Sequence, residues 1–160
     1  MPDAAPLNAD PSDLLRHLAL ERVSSQWSDF LALLSAELVE QLSADEYRGL
    51  LRRLGESFAR QNPVAASSDV AQLEAAFNAT WARMRWGFVR ISEQGAALRV
   101  VHRASPLSAA LQVDTDVAAG YLEGVYAVWL QQAGAPAGLV LRQAPSDGSP
   151  MQMVFELAAA

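Results

Sequence analysis

The chain is 160 residues long, 51% hydrophobic and only 19% charged, with a formal net charge of −6 and no cysteine. That length supports one domain with a proper core, and the missing cysteines exclude disulfides, thiolate metal sites and cysteine nucleophiles. The acidic balance leaves a nucleic-acid partner without the basic field it needs, and the shortage of charge favours a chain that buries part of its surface against other copies.

Residues 1–25 read as a flexible arm followed by an uncertain first helix, and residues 26–160 as a single α+β domain. Pro2, Pro6 and Pro11 punctuate the arm. Leu14, Leu15, Leu18 and Val23 could form a helix, with Ser24-Ser25 able to break it. From Gln26, the residues Trp27, Phe30, Leu31, Leu34, Leu38 and Leu42 keep helical spacing. Ser43-Ala44-Asp45-Glu46 is a capping box opening a second helix. That helix carries Tyr47, Leu50, Leu51, Leu54 and Phe58 on one face and ends before Asn62-Pro63. Gly49 and Gly55 lie inside it, each unfavourable by about 1 kcal/mol against alanine, as happens where backbones pack closely. Asp69 caps a third helix, with Val70, Leu73, Phe77, Trp81 and Met84 as its stripe.

Two strands follow, Trp86–Ile91 and Leu98–Arg103, joined through Gln94-Gly95. The helix Thr115–Gln132 comes next, and Gly134-Ala135-Pro136-Ala137-Gly138 turns the chain. Leu139–Ala144 is a third strand and Pro145–Pro150 a loop. Met151–Leu157 is a fourth strand, with Met151, Met153, Phe155 and Leu157 inward, Gln152 and Glu156 outward, and Val154 breaking the alternation. The order implies N-terminal helices and then a four-stranded antiparallel sheet of two hairpins separated by a long apolar helix.

The helix 115–132 is apolar on two sides. Val117, Tyr121, Val125, Val128 and Trp129 share one face; Leu122, Tyr126, Leu130 and Ala133 share another. A lone subunit has use for one such stripe, so a partner subunit is expected to cover the second. The expected oligomer interface is therefore Leu122, Tyr126, Trp129 and Leu130, together with Trp27. Gly120 and Gly124 have a small-xxx-small spacing that would let this helix lie close on the sheet or on a symmetry mate.

The catalytic inventory is thin. All twelve basic residues are arginine, which removes Schiff-base lysines and the phosphate-loop lysine. No serine sits in a nucleophile elbow, and no glycine-rich phosphate loop occurs. His17 has Asp13 and Glu21 four residues away on either side, a helix-face pattern rather than a metal site. His102 shares a strand face with Leu98 and Val100 and reads as a core or interface histidine. Asp114 and Asp116 read as helix-capping and dipole-complementing residues. Arg48, Arg52, Arg53 and Arg60 interleave with Asp45, Glu46 and Glu56 as a solvated face. Arg83 and Arg85 flank Trp81 and Trp86, which read as packing aromatics. Asn78-Ala79-Thr80 falls mid-helix. No catalytic residue, cofactor or metal is expected. No apolar run reaches membrane-span length, and the N-terminus lacks a secretory signal pattern, so a cytoplasmic location is expected.

Arg85-Trp86-Gly87, Leu98–His102 and the run Leu122-Glu123-Gly124-Val125-Tyr126 to Trp129, continuing to Gln132–Ala135, together resemble the D subunit of bacterial cellulose synthase operons over roughly residues 26–158. The layout is also similar to vinyl-reductase-like sensor domains and vesicle-tethering (TRAPP) subunits, although the late cysteines of many sensor members are absent. The first resemblance implies a non-catalytic, octameric accessory subunit near the inner-membrane cellulose synthase complex. It implies a role in export and ordered bundling of glucan chains, with a proline-rich scaffold protein as a partner. N-terminal segments would line the glucan passages, whose residues here stay unassigned. The competing reading is a small-molecule-binding sensor with an apolar pocket between helix 115–132 and the sheet.

Overall fold

In the computed structural model, Ser43 opens a helix as its capping box demands. Its hydroxyl accepts from the Glu46 N–H at 3.3 Å, while the Glu46 carboxylate accepts from the Ser43 N–H at 2.9 Å. The structure describes residues 11–21, 23–146 and 151–160, the side chains of residues 12, 16 and 19 excepted. The residue 1–12 arm therefore lies largely outside the described residues, as do residues 147–150 of the predicted 145–150 loop.

The elements in order are α1 (Pro11–Glu21), α2 (Ser25–Gln41), α3 (Ala44–Gln61), α4 (Val70–Met84), β1 (Phe88–Gln94), β2 (Ala97–Arg103), α5 (Leu107–Leu111), α6 (Thr115–Gln132), β3 (Leu139–Ala144) and β4 (Gln152–Ala159). The strands form one antiparallel sheet in the order β1-β2-β4-β3, two hairpins joined through β2 and β4. The fold is α+β as the sequence implies.

Several boundaries shift for local reasons. The first strand begins at Phe88 because Arg85 closes α4 in the left-handed region, at φ 57°, and Gly87 follows at φ 79°. A side chain at Gly87 would put its Cβ 1.9 Å from the Arg103 carbonyl oxygen, so Trp86-Gly87 forms a tight corner rather than strand. The short α5 carries no sequence signal of its own. It follows Pro106, with the Ser105 hydroxyl accepting from the Leu107 N–H. Gln152, expected to point outward, is buried, and it accepts a 2.9 Å bond from Arg103 Nε.

The core has three layers: α3, then α6, then the sheet, with α4 packed against β1. α3 and α6 run parallel at very short range. A Cβ on Gly55 would lie 1.9 Å from the Tyr121 carbonyl oxygen, one on Gly124 2.1 Å from that of Arg52, and one on Gly120 2.5 Å from that of Arg48. Backbone rests on backbone, which only glycine permits. Gly49 plays no such part; a Cβ there would touch only the Arg53 guanidinium at 3.7 Å. The buried face of α3 is accordingly Tyr47, Leu51, Gly55 and Ala59. Leu54, expected on that face, is half exposed, because Gly55 rather than a leucine makes the contact.

Rings fill the space between these layers. Phe77 meets Tyr126 at 5.6 Å and Trp129 at 4.8 Å, Trp81 meets Trp129 at 5.2 Å, and Tyr126 reaches Phe155 at 5.8 Å. These stacked and tilted geometries add to the area the rings bury. Gly124→Ala should force α3 and α6 apart and lower unfolding free energy by about 3 kcal/mol, whereas Gly49→Ala should be neutral or slightly stabilising. Urea denaturation of the two variants checks this contrast.

Candidate functional site

Where the sequence-expected interface residues fall decides how this molecule can meet another. Leu122, Tyr126 and Trp129 have no exposed surface, and Leu130 is 2% exposed. The second apolar face of α6 does need a cover, and the same chain supplies it: Tyr126 packs on Phe155 and His102 of the sheet and on Phe77 of α4, while α3 closes on the other side of α6 at Gly120 and Gly124. These four residues are therefore core, and the expectation that they form the interface is corrected. Sequence spacing shows that a face is apolar; it does not show whose surface covers it.

Trp27 behaves differently. It is 57% exposed on α2, beside Phe30 at a ring distance of 6.0 Å. Among the described residues, nine of the twelve exposed large hydrophobics lie on α1 and α2. They are Leu14, Leu15, Leu18 and Leu20 on α1, with Trp27, Phe30, Leu33, Leu34 and Val39 on α2. The apolar excess is thus gathered at one end of the chain. Clusters of this kind mark interaction surfaces. Ser35 is the one buried residue of α2, and its hydroxyl accepts a 2.9 Å hydrogen bond from the Tyr47 hydroxyl. That bond ties α2 to α3 while leaving its flanks open.

The arginines of α3 do more than line a solvated face. Arg52 and Arg60 pair with Glu56 at 3.6 and 3.2 Å, as spacing suggests. Arg48 and Arg52 also reach across to the buried Glu123 of α6, Arg52 at 3.2 Å and Arg48 by a shorter contact. Arg48 further donates to the Asp116 carbonyl at 3.1 Å and to Gln143 Oε1 at 3.0 Å. Gln143 in turn donates to the Asp116 carboxylate at 2.9 Å. The network joins α3, α6 and β3. Breaking it would leave a buried charge uncompensated. The signal that could have found it is Glu123 itself, a lone acid inside a greasy helix. Asp114 occupies the N-cap of α6 but makes no side-chain capping bond, a correction to its expected role; Asp116 is held by Gln143 instead.

His102 is fully buried, as a core histidine should be. Its Nε2 lies 2.7 Å from the Trp86 carbonyl oxygen, which can only accept, so Nε2 carries the proton. Nδ1 then accepts from the Tyr126 hydroxyl at 2.5 Å. Burial pushes the imidazole down to about 4, against a smaller opposing pull from the Trp86 carbonyl. Burial also drives the phenols of Tyr126 and Tyr121 upward. His17, by contrast, sits exposed beside Glu21 at 3.4 Å, a helix-face contact. Trp81 is buried and Trp86 partly so, their rings stacked 6.1 Å apart with nearly parallel planes.

Among the described residues no cluster of three or more metal-ligating side chains occurs, and no helix is long and apolar enough to cross a membrane. The family model for the D subunit of cellulose synthase matches residues 13–156. The chain belongs to this cellulose synthase D-subunit family. Among its relatives is cellulose synthase operon protein D of Komagataeibacter xylinus, 31% identical over 113 residues, covering 68% of this chain and 72% of the relative. The protein of the same name from Komagataeibacter sucrofermentans matches to the same extent. Family membership assigns the chain a role in cellulose synthesis.

The neutral, buried state of His102 gives stability a definite pH dependence. Its value near 4 in the folded chain lies below the ordinary 6.5, so the unfolded chain takes up the proton first. The contribution is complete above pH 6.5, declines as the pH falls, and is lost below about 4. The span corresponds to about 3 kcal/mol. His102→Gln should flatten the unfolding free energy over that window relative to the parent chain, as read from denaturant titrations at successive pH values.

Proposed function

We propose that this chain is a non-catalytic accessory subunit of the bacterial cellulose synthase complex, one that self-associates through the apolar face of α1 and α2. In that assembly it scaffolds the export and ordered bundling of glucan chains. The observation that carries the reading is the gathering of exposed apolar side chains on those two helices, in a chain whose family works in cellulose synthesis. Trp27, Phe30, Leu33 and Leu34 are the anchors, since large rings and leucines freed from water supply most of the energy of such contacts. The octamer, the proline-rich scaffold partner and the glucan contact implied by resemblance belong to the same proposal.

The sensor reading requires an apolar chamber between α6 and the sheet. The middle of that space is occupied by Tyr126, packed against Phe155 and His102, and what lies open between α6 and the sheet is a pair of surface clefts of about 250 and 260 Å³ beside Leu130. The arrangement favours the scaffold.

Phe30→Asp with Leu33→Asp should convert a stable oligomer to monomer in light scattering. The unfolding midpoint should stay nearly unchanged, because both side chains are more than half exposed. In a cellulose-producing bacterium whose own family member has been deleted, the parent chain should restore cellulose yield and the double variant should not. A parent chain that stays monomeric at tens of micromolar, or a double variant that assembles normally, overturns the proposal.

A further inference from the structure

The two edges of the sheet differ: among the described residues, side chains of α4 bond to the backbone of one and no side chain bonds to the middle of the other. At β1 the Asn78 side chain donates to the Val89 carbonyl at 2.9 Å and accepts from the Val89 N–H at 2.8 Å. Glu74, one turn earlier on α4, accepts from the Ile91 N–H at 2.8 Å. A single helix face thereby occupies both backbone groups of Val89 and the N–H of Ile91. Covering an edge in this way blocks pairing with another chain.

No such cover lies at β3 among the described residues. Among the described residues no side chain bonds to the backbone of Val140, Leu141 or Arg142. A cleft of about 250 Å³ runs beside this edge on the helix side, with Leu130, Leu139 and Leu157 as its apolar wall, Ala137 at its mouth, and Arg52 and Gln131 on its polar side. On the opposite face Arg142 is exposed and has no ion-pair partner among the described residues. Its cross-strand neighbour, Glu156, is held by Arg99 at 3.3 Å.

We propose that the β3 edge receives an extended segment of a partner protein as an added strand. The segment seats an apolar side chain in the cleft and sets a carboxylate beside Arg142. Successive side chains of a strand point to opposite faces, so the apolar anchor and the acid must be sequence neighbours. Main-chain bonds to the edge supply affinity, and the cleft with Arg142 supplies selectivity. A second copy pairing β3 against β3 is the poorer occupant. Leu139–Ala144 contains no acid, so such a pair leaves Arg142 facing an apolar residue or its own kind.

The test uses the full chain and two blocked synthetic peptides, Thr-Val-Glu-Leu-Glu-Val-Thr and its lysine counterpart Thr-Val-Lys-Leu-Lys-Val-Thr. The acidic peptide should slow hydrogen exchange at Val140–Arg142 and bind more tightly than the basic one. Arg142→Glu should weaken the acidic peptide about tenfold and invert the preference. Ala137→Trp, at an exposed position, should fill the cleft and weaken both. The Phe30→Asp, Leu33→Asp variant should bind as the parent does, which keeps this outcome separate from self-association through α1 and α2. Protection elsewhere, an unchanged preference in Arg142→Glu, or concentration-dependent protection of β3 without peptide (a second copy on the edge) each overturns the proposal.

Discussion

Everything in this molecule is arranged around the place where the backbones of α3 and α6 touch. Gly55, Gly120 and Gly124 remove the side chains that would hold the two helices at ordinary separation. Ridge-and-groove packing of larger residues keeps helix axes roughly 8–10 Å apart. Here carbonyl oxygens instead occupy space that a Cβ would need. The approach brings Arg48 and Arg52 within reach of Glu123, and it gives α6 a cover on the side away from the sheet. A helix greasy on two faces becomes the middle layer of one subunit.

Burying α6 on both sides creates a demand for polar order inside the core, and two groups meet it. The Glu123 carboxylate is answered by two guanidiniums, with Gln143 and Asp116 completing the network into β3. His102 is answered by the Trp86 carbonyl and the Tyr126 hydroxyl. Both sets fix the angular position of α6, since rotation of the helix would strand a charge or an imidazole without partners. The Trp129 indole N–H, donating to the Asn62 carbonyl at 2.8 Å, pins its C-terminal end to the close of α3.

With that interior saturated, the apolar surplus of the composition emerges elsewhere. It collects on α1 and α2, which the rest of the fold engages mainly through α5 and the start of α3. The sheet edges differ in the same way: α4 side chains bond to β1, whereas among the described residues no side chain bonds to the backbone of Val140–Arg142. The subunit's layers are closed on themselves, and its exposed large apolar side chains lie mostly on its N-terminal helices.

The sequence by itself determined the order of the long helices and the strands, the Ser43 capping box and the Asp69 cap, the two-hairpin sheet and the absence of a recognisable catalytic motif. Those features depend on residues near one another in the chain: Ser43 with Glu46, Asp69 with the first turn of α4, the alternation in Leu98–Arg103. It also carried the family, through the run from Leu122 to Trp129. Only the tertiary structure decided which surface is free. Leu122, Tyr126, Trp129 and Leu130 look like a docking face until the sheet and α4 close on one side of α6 and α3 on the other, and Leu54 looks buried until Gly55 takes its place in the contact. Periodicity records that a side chain avoids water, whereas the neighbour that excludes the water is set by contacts between segments some seventy residues apart, Arg48 to Glu123 among them.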